Sequence, residues 1–156
     1  MANEIERKFL VDMKRWRPSA AGMLYRQGYL SSAKERVVRV RIAGTQAYLT
    51  VKGPTVGITR SEFEYVIPLA DATAMLDSLC DGPQIEKTRH REDFAGRVWE
   101  VDVFHGDNEG LVIAEIELAS VTEDFERPPW AGREVSDDPR YYNNNLAANP
   151  YRNWRR

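Results

Sequence analysis

Residues 3–11, NEIERKFLV, set Glu4, Glu6 and Lys8 at every second position, with Ile5, Phe9 and Val11 in the alternate phase and Arg7 as the exception. Successive side chains of a strand point to opposite faces, so this segment reads as a strand with one charged and one apolar face. The alternation returns along the chain. Arg39 and Arg41 alternate with Val38, Val40 and Ile42, Thr50 and Lys52 with Leu49 and Val51, and Arg60, Glu62 and Glu64 with Phe63, Tyr65 and Ile67. Lys87, Arg89 and Arg91 share a phase, Glu100 and Asp102 oppose Trp99, Val101 and Val103, and Glu115 and Glu117 oppose Ala114, Ile116 and Leu118. These seven segments carry eight cations and eight carboxylates on their charged faces.

The segments span 3–11, 36–43, 46–52, 60–67, 85–95, 97–104 and 112–119, with 25–30 a weaker member. Ala43-Gly44-Thr45 predicts a short hairpin, Gly53-Pro54 to Gly57 a looser loop and Gly106 to Gly110 a polar connector, so successive strands are mainly antiparallel. Ala72, Met75, Leu76 and Leu79 have helical spacing, which predicts a helix over 71–79 with Asp71 as N-cap. Shorter helical pieces are expected near 12–17, 120–126 and 143–148.

An open sheet with a solvated, ion-paired face accounts for any one of these strands, since exposed pairs are common and contribute only about 0–1 kcal/mol. It does not account for all seven, because solvent faces avoid setting carboxylates beside carboxylates. The expectation is a mainly β (α+β) fold: a closed antiparallel barrel of about eight strands, charged side lining a tunnel, apolar side outward under helices. Like charges about 4 Å apart at an effective dielectric near 20 repel by roughly 4 kcal/mol. Converging carboxylates therefore imply bound cations and converging Arg and Lys a bound polyanion, and metal plus polyphosphate satisfies both.

At 156 residues the chain is expected to form a single domain, residues 1–156. Its 42% hydrophobic and 29% charged residues include no apolar run of the roughly 20 residues needed to span a membrane, and 1–11 has no signal-peptide pattern, so a cytoplasmic location is expected. One cysteine, Cys80, and two histidines, His90 and His105, leave no Cys or His metal cluster, so any metal must sit on oxygen; Mg2+ or Mn2+ suits that donor set. Cys80 reads as a small buried hydrophobe. A net charge of −2, with only the tail 151–156 (YRNWRR) locally basic, gives no reason to expect nucleic acid or membrane partners. The sequence leaves the oligomeric state open, a homodimer included.

Glu4-Ile5-Glu6-Arg7-Lys8 resembles the E-x-E-x-K signature of the CYTH superfamily, the triphosphate tunnel metalloenzymes. Arg39-Val40-Arg41 is similar to that family's R-x-R strand, Thr50-Val51-Lys52 to its T-x-K, and Arg60 to Glu64 to its R-x-E-x-E. Glu86-Lys87-Thr88-Arg89 resembles E-K-x-R, Glu100-Val101-Asp102 resembles E-x-D, and Glu115-Ile116-Glu117 resembles E-x-E. The order is the family's and covers nearly the whole chain. Members hydrolyse inorganic tripolyphosphate, thiamine triphosphate or RNA 5′-triphosphate, or cyclise ATP. Gln27-Gly28-Tyr29-Leu30 and the Tyr142 to Ala147 ending resemble the short bacterial tripolyphosphatases, although Tyr142 to Asn145 is uncharged where some short relatives carry lysines, leaving Arg140 as a substitute there.

The resemblance implies Glu4, Glu6, Asp102, Glu115 and Glu117 as metal ligands and Lys8, Arg39, Arg41, Lys52, Lys87 and Arg89 as phosphate ligands, Lys8 also acting on transition-state charge. Glu62 is placed with the metal ligands; like Glu64, it has a second reading as a residue orienting neighbouring Arg and Lys. Tyr29 is a catalytic candidate that would orient or deprotonate water, against a packing phenol. The expected activity is metal-dependent release of a terminal phosphate from tripolyphosphate or a related triphosphate. The alternatives are a class IV-type adenylate cyclase and a non-catalytic polyphosphate- or nucleotide-binding module.

Overall fold

The computed structural model describes residues 3–154. Strands run over β1 (Asn3–Val11), β2 (Met23–Ala33), β3 (Arg36–Ala43), β4 (Gln46–Lys52), β5 (Thr59–Ile67), β6 (Asp81–Phe94), β7 (Arg97–Phe104), β8 (Val112–Glu117) and β9 (Ala131–Glu134), with helices α1 (Leu69–Ser78) and α2 (Asn143–Ala148). The order β5-β4-β3-β2-β6-β7-β8-β1 is antiparallel throughout and closes on itself where Glu4 faces Arg60 and Ile5 faces Thr59. The protein is thus a closed eight-stranded antiparallel barrel with its two helices outside. β9 pairs with β1 at Phe9 and Val11, beyond the reach of β5. Turn chemistry matches the hairpins: Gly44, first of the two residues joining β3 to β4, has φ 61°, where a type II′ turn requires glycine.

The bore changes character along its length. In the same inward phase as the charged residues lie Leu10, Tyr29, Val37, Ile85, Phe104 and Ile113, which pack with Leu146 and Ala147 of α2 into one apolar cluster. α2 therefore seats on an apolar end of the barrel, and the charged segment lies above it. Outside, α1 buries Ala72 and Leu76 against Val40 and Ala47. The outer faces of β1, β7 and β8 are covered by aromatic loops instead of helices: Trp16, Phe125 and Trp130 close over Phe9, Trp99 and Ile116, with ring centroids of Trp99 and Trp130 5.7 Å apart.

Several local expectations are corrected. α1 starts two residues before Asp71, with Pro68 at the N-cap and the amide of Ala72 bonded to the Pro68 carbonyl, so Asp71 sits inside the first turn and complements the helix dipole. Residues 120–126 form no helix, because the Glu123 carboxylate accepts the Ala119 amide and pairs with Arg97 while Phe125 is drawn onto Phe9 and Trp99. Residues 12–17 make a single turn on the Asp12 carbonyl, ended by Pro18. Cys80 is half-buried, at the edge of the cluster under α1. No helix among the described residues is long and apolar enough to cross a membrane.

Candidate active site

All eight strands contribute to a cavity of about 200 Å³ in the bore, closed on one side by Tyr142, Asn143 and Asn144. Of the sixteen alternating charges, all but Asp102 and Arg91 line it. Arg91 is exposed and paired with Asp93, outside the cavity. A second chamber continues toward the β3–β4 turn past Arg41, Glu64, Arg89 and Glu100, with Tyr25 and Tyr48 in its wall.

Cross-strand register fixes the neighbours. β1 and β8 set Lys8 opposite Glu115 and Glu6 opposite Glu117, while β7 and β8 set Glu100 opposite Glu115. Lys8 Nζ lies 3.0 Å from Glu6 and 3.2 Å from Glu115, so one ammonium bridges two carboxylates. Burial disfavours that charge, yet Glu115 and Glu6 together hold the Lys8 pKa above its ordinary value. Glu6 in turn is kept below its ordinary value against burial, chiefly by Lys8. Glu117 is compensated less: burial and the charges of Glu4, Glu6 and Glu100 raise it, and Lys52 opposes them only in part. Burial also raises Glu100, with Glu115, Asp102 and Glu6 adding to it and Arg89 opposing.

Glu4, Glu6, Glu100, Glu115 and Glu117 are thus a carboxylate group with like charges directly opposed across strands, an arrangement that costs free energy until a cation joins it. All donors are oxygen, which fits a hard divalent cation. As they stand Glu4, Glu6, Glu100 and Glu115 are engaged by Lys and Arg, and among the described residues no three acidic, His or Cys side chains are gathered into a ready ligand set. Asp102, expected among the ligands, is instead fully buried beneath the wall, accepting from Arg89 at 2.8 and 2.9 Å and pairing with Lys87 at 2.8 Å. Glu100, which sequence reasoning left without a role, shares that face of β7 and opens on the cavity; its place opposite Glu115 could be found only from the register.

The remaining cations form the opposite wall. Lys52 bridges Glu4 at 3.0 Å and Glu62 at 3.4 Å, and Arg39 donates to Thr50 at 3.2 Å and Glu64 at 3.4 Å. Glu62 and Glu64 are thereby each placed as partners of a phosphate-ligand candidate. The Arg39 Nε is buried with no hydrogen-bond partner, an orphaned donor of the kind an anion satisfies. Arg41 stacks its guanidinium 4.9 Å from the Tyr25 ring centroid, and Arg89 lies at the same distance from it. Burial, then Arg39 and Arg89, push the Arg41 pKa down to about 10.

Tyr29 is 3% exposed and accepts a hydrogen bond from Gln27 at 3.2 Å; burial pushes its phenol up, away from service as a base. Arg140 does not replace a lid lysine: it pairs with Asp138 and lies over Trp154. The uncharged element acts through Asn143, whose Oδ1 accepts from Lys87 at 2.9 Å.

Lys87 is the most heavily burdened cation. Burial dominates, one Asp102 carboxylate serves two cations, and Arg89 and Arg41 repel, so its pKa is pushed down to about 7. A polyanion bound beside it restores the charged form. At pH 8, binding of tripolyphosphate is therefore expected to take up about one proton, vanishing near pH 5, where Lys87 is already charged. Calorimetry in buffers of different ionisation heat measures this, and pH-independent binding without proton uptake would contradict it.

A closed barrel whose bore sets converging cations beside opposed carboxylates defines a cavity for a small, highly charged ligand. The chain belongs to the CYTH family: the model of the CYTH domain matches residues 2–142. It is 52% identical over 155 residues to an inorganic triphosphatase of Acetivibrio thermocellus, covering 99% of both chains. It is 38% identical to an inorganic triphosphatase of Nitrosomonas europaea, over 92% of this chain and 96% of that one. A solved crystal structure of an inorganic triphosphatase superposes with a TM-score of 0.68 at 34% identity, covering 94% of this chain and 95% of the other. At 18% identity a protein from Bacillus halodurans still superposes with a TM-score of 0.60 over 77% of this chain, a likeness of fold alone.

Proposed function

We propose that this chain is a divalent-cation-dependent inorganic triphosphatase that removes the terminal phosphate of tripolyphosphate. The observation that carries the reading is the composition of the cavity. Its lining is charged on every strand except β2, with Val37 and Ile58 its only aliphatic side chains among the described residues, whereas pockets for organic ligands are predominantly apolar. A short chain of phosphates is charge and oxygen throughout and suits such a wall. The full-length similarity to inorganic triphosphatases supports the same substrate.

Glu4, Glu6, Glu115 and Glu117, with Glu100 beside them, would hold Mg2+ or Mn2+. When bound, the cation supplies neutralising charge at the phosphoryl oxygens and makes water acidic enough to attack near neutral pH. Arg39, Arg41, Lys52, Lys87 and Arg89 bind phosphate oxygens, arginine through its fork and lysine as a point charge. Lys8, fixed between Glu6 and Glu115 among the carboxylates that would hold the cation, would stabilise charge as the terminal bond breaks. The strands around the bore limit bulk water at the reacting group.

Phosphate release from tripolyphosphate, ATP, thiamine triphosphate and pyrophosphate, each with Mg2+, Mn2+ or chelator, tests this. Tripolyphosphate with metal is expected to be turned over fastest, and chelator to abolish the reaction. Full activity in chelator, or cyclic nucleotide and pyrophosphate from ATP as the main products, would overturn it.

A further inference from the structure

Of the six cations assigned to phosphate, Lys8, Arg39, Lys52, Lys87 and Arg89 each have a carboxylate within 3.4 Å. Arg41 has none. Its Nε donates instead to Oε1 of Gln27 at 2.9 Å, and Gln27 is 0% exposed, so a neutral amide stands where the neighbouring cations have an acid. The amide is locked from both ends. Arginine has only donors, so Oε1 must face Arg41. The Nε2 of Gln27 then donates to Tyr29 Oη at 3.2 Å and to Asn143 Oδ1 at 3.3 Å, and that Oδ1 also accepts from Lys87 Nζ at 2.9 Å.

We propose that Gln27 is a positioning residue for the phosphate chain: it aims Arg41 through an uncharged acceptor, so that Arg41 meets the substrate with its charge uncompensated. A carboxylate in the same place would hold the guanidinium equally well and cancel the charge the substrate needs. An apolar residue would keep the charge and lose the aim, since an arginine with an unfixed Nε forfeits the pre-organisation that makes a fork selective for phosphate. Burial and the charges of Arg39 and Arg89 outweigh the relief that Tyr25 and the more distant Asp102 give Arg41, so this corner of the bore favours an anion. The inference rests on the phosphate-chain reading of the tunnel.

The test is tripolyphosphate binding by calorimetry in chelator, where turnover plays no part, for the wild-type chain, Gln27→Glu and Gln27→Met, with thermal unfolding of each. Gln27→Glu is expected to raise Kd by about tenfold or more, because an added carboxylate both neutralises Arg41 and repels the ligand. Its melting temperature is expected not to fall, because the new charge lands among surplus cations. Gln27→Met, of similar length but without the acceptor, is expected to raise Kd by a smaller factor. With metal present, the Gln27→Glu defect is expected mainly in KM rather than kcat. Unaltered Kd in Gln27→Glu, a larger loss in Gln27→Met than in Gln27→Glu, or a lowered melting temperature in Gln27→Glu overturns the proposal. A wild-type chain that does not bind tripolyphosphate defeats the functional reading itself, and the inference with it.

Discussion

Asp102→Asn is expected to destabilise the protein by about 3–5 kcal/mol, the usual cost of leaving buried charges without their partner. Asp102 is fully buried and holds two cations at once, Arg89 through paired bonds of 2.8 and 2.9 Å and Lys87 at 2.8 Å. An asparagine keeps one acceptor oxygen but turns the other into a donor facing donors and carries no charge, so both cations lose their compensation. For a chain of this size the deficit corresponds to roughly 6–20 °C in melting temperature, at about 2–4 °C per kcal/mol. The effect has a defined pH dependence. Arg89 and Lys87 hold the Asp102 carboxyl below its ordinary value of 3.8 against burial. Its stabilisation is therefore fully present above that ordinary value and is lost as pH falls through the folded one, so the gap between wild type and Asp102→Asn closes on strong acidification. Thermal or urea unfolding at a series of pH values measures both parts, and a loss of only a degree or two at pH 7 would show that Asp102 does not carry this corner of the wall.

Lys8→Ala is expected to lower kcat by about 10²–10³, the effect of removing one donor aimed at transition-state charge. The contrast is with Arg39→Ala. Arg39 is held by Thr50 and Glu64 on the binding wall, and its grip exists before as well as during reaction, so its loss is expected mainly to raise KM. Lys8→Arg is expected to rescue poorly, because a planar fork replaces a compact ammonium seated 3.0 Å from Glu6 and 3.2 Å from Glu115. A further readout separates a chemical role from a structural one. Lys8 is the main reason Glu6 titrates below its ordinary value despite burial, so in Lys8→Ala the Glu6 pKa rises and the acidic edge of the activity profile moves to higher pH. A normal kcat with only a raised KM, and an unmoved acidic edge, would make Lys8 one anchor among several.

The charged tunnel was legible because alternation is a local property: β1, β3, β4 and β7 run over the residues at which the two-residue period begins and ends. β2 looked weak for a reason the structure supplies. Gly28 interrupts its pattern, and a Cβ there would lie 3.0 Å from Leu76 and 3.1 Å from Cys80, so the glycine serves the close packing of α1 and its C-terminal flank on the barrel. β9 had no signal at all; Ala131 to Glu134 becomes a strand because β1 extends past β5 and leaves an edge to be paired, with Gly132 allowing approach to the Leu10 carbonyl. The apolar end of the bore shares its phase with the charges, and Leu10, Phe104 and Ile113 mark it in the sequence as the residues that follow or precede them by two.

The sequence by itself determined which side chains face the bore, since strand geometry leaves each residue only two directions. Only the tertiary structure decided which charge meets which. Asp102 and Glu100 are equivalent by period, yet one is buried under Arg89 and Lys87 and the other opens on the cavity beside Glu115. Gln27 and Asn143 are 116 residues apart and meet over Lys87 because α2 docks on the end of the barrel. Distances across a closed sheet depend on strand stagger and closure, which are set by the sum of all eight pairings, and no local pattern carries that sum.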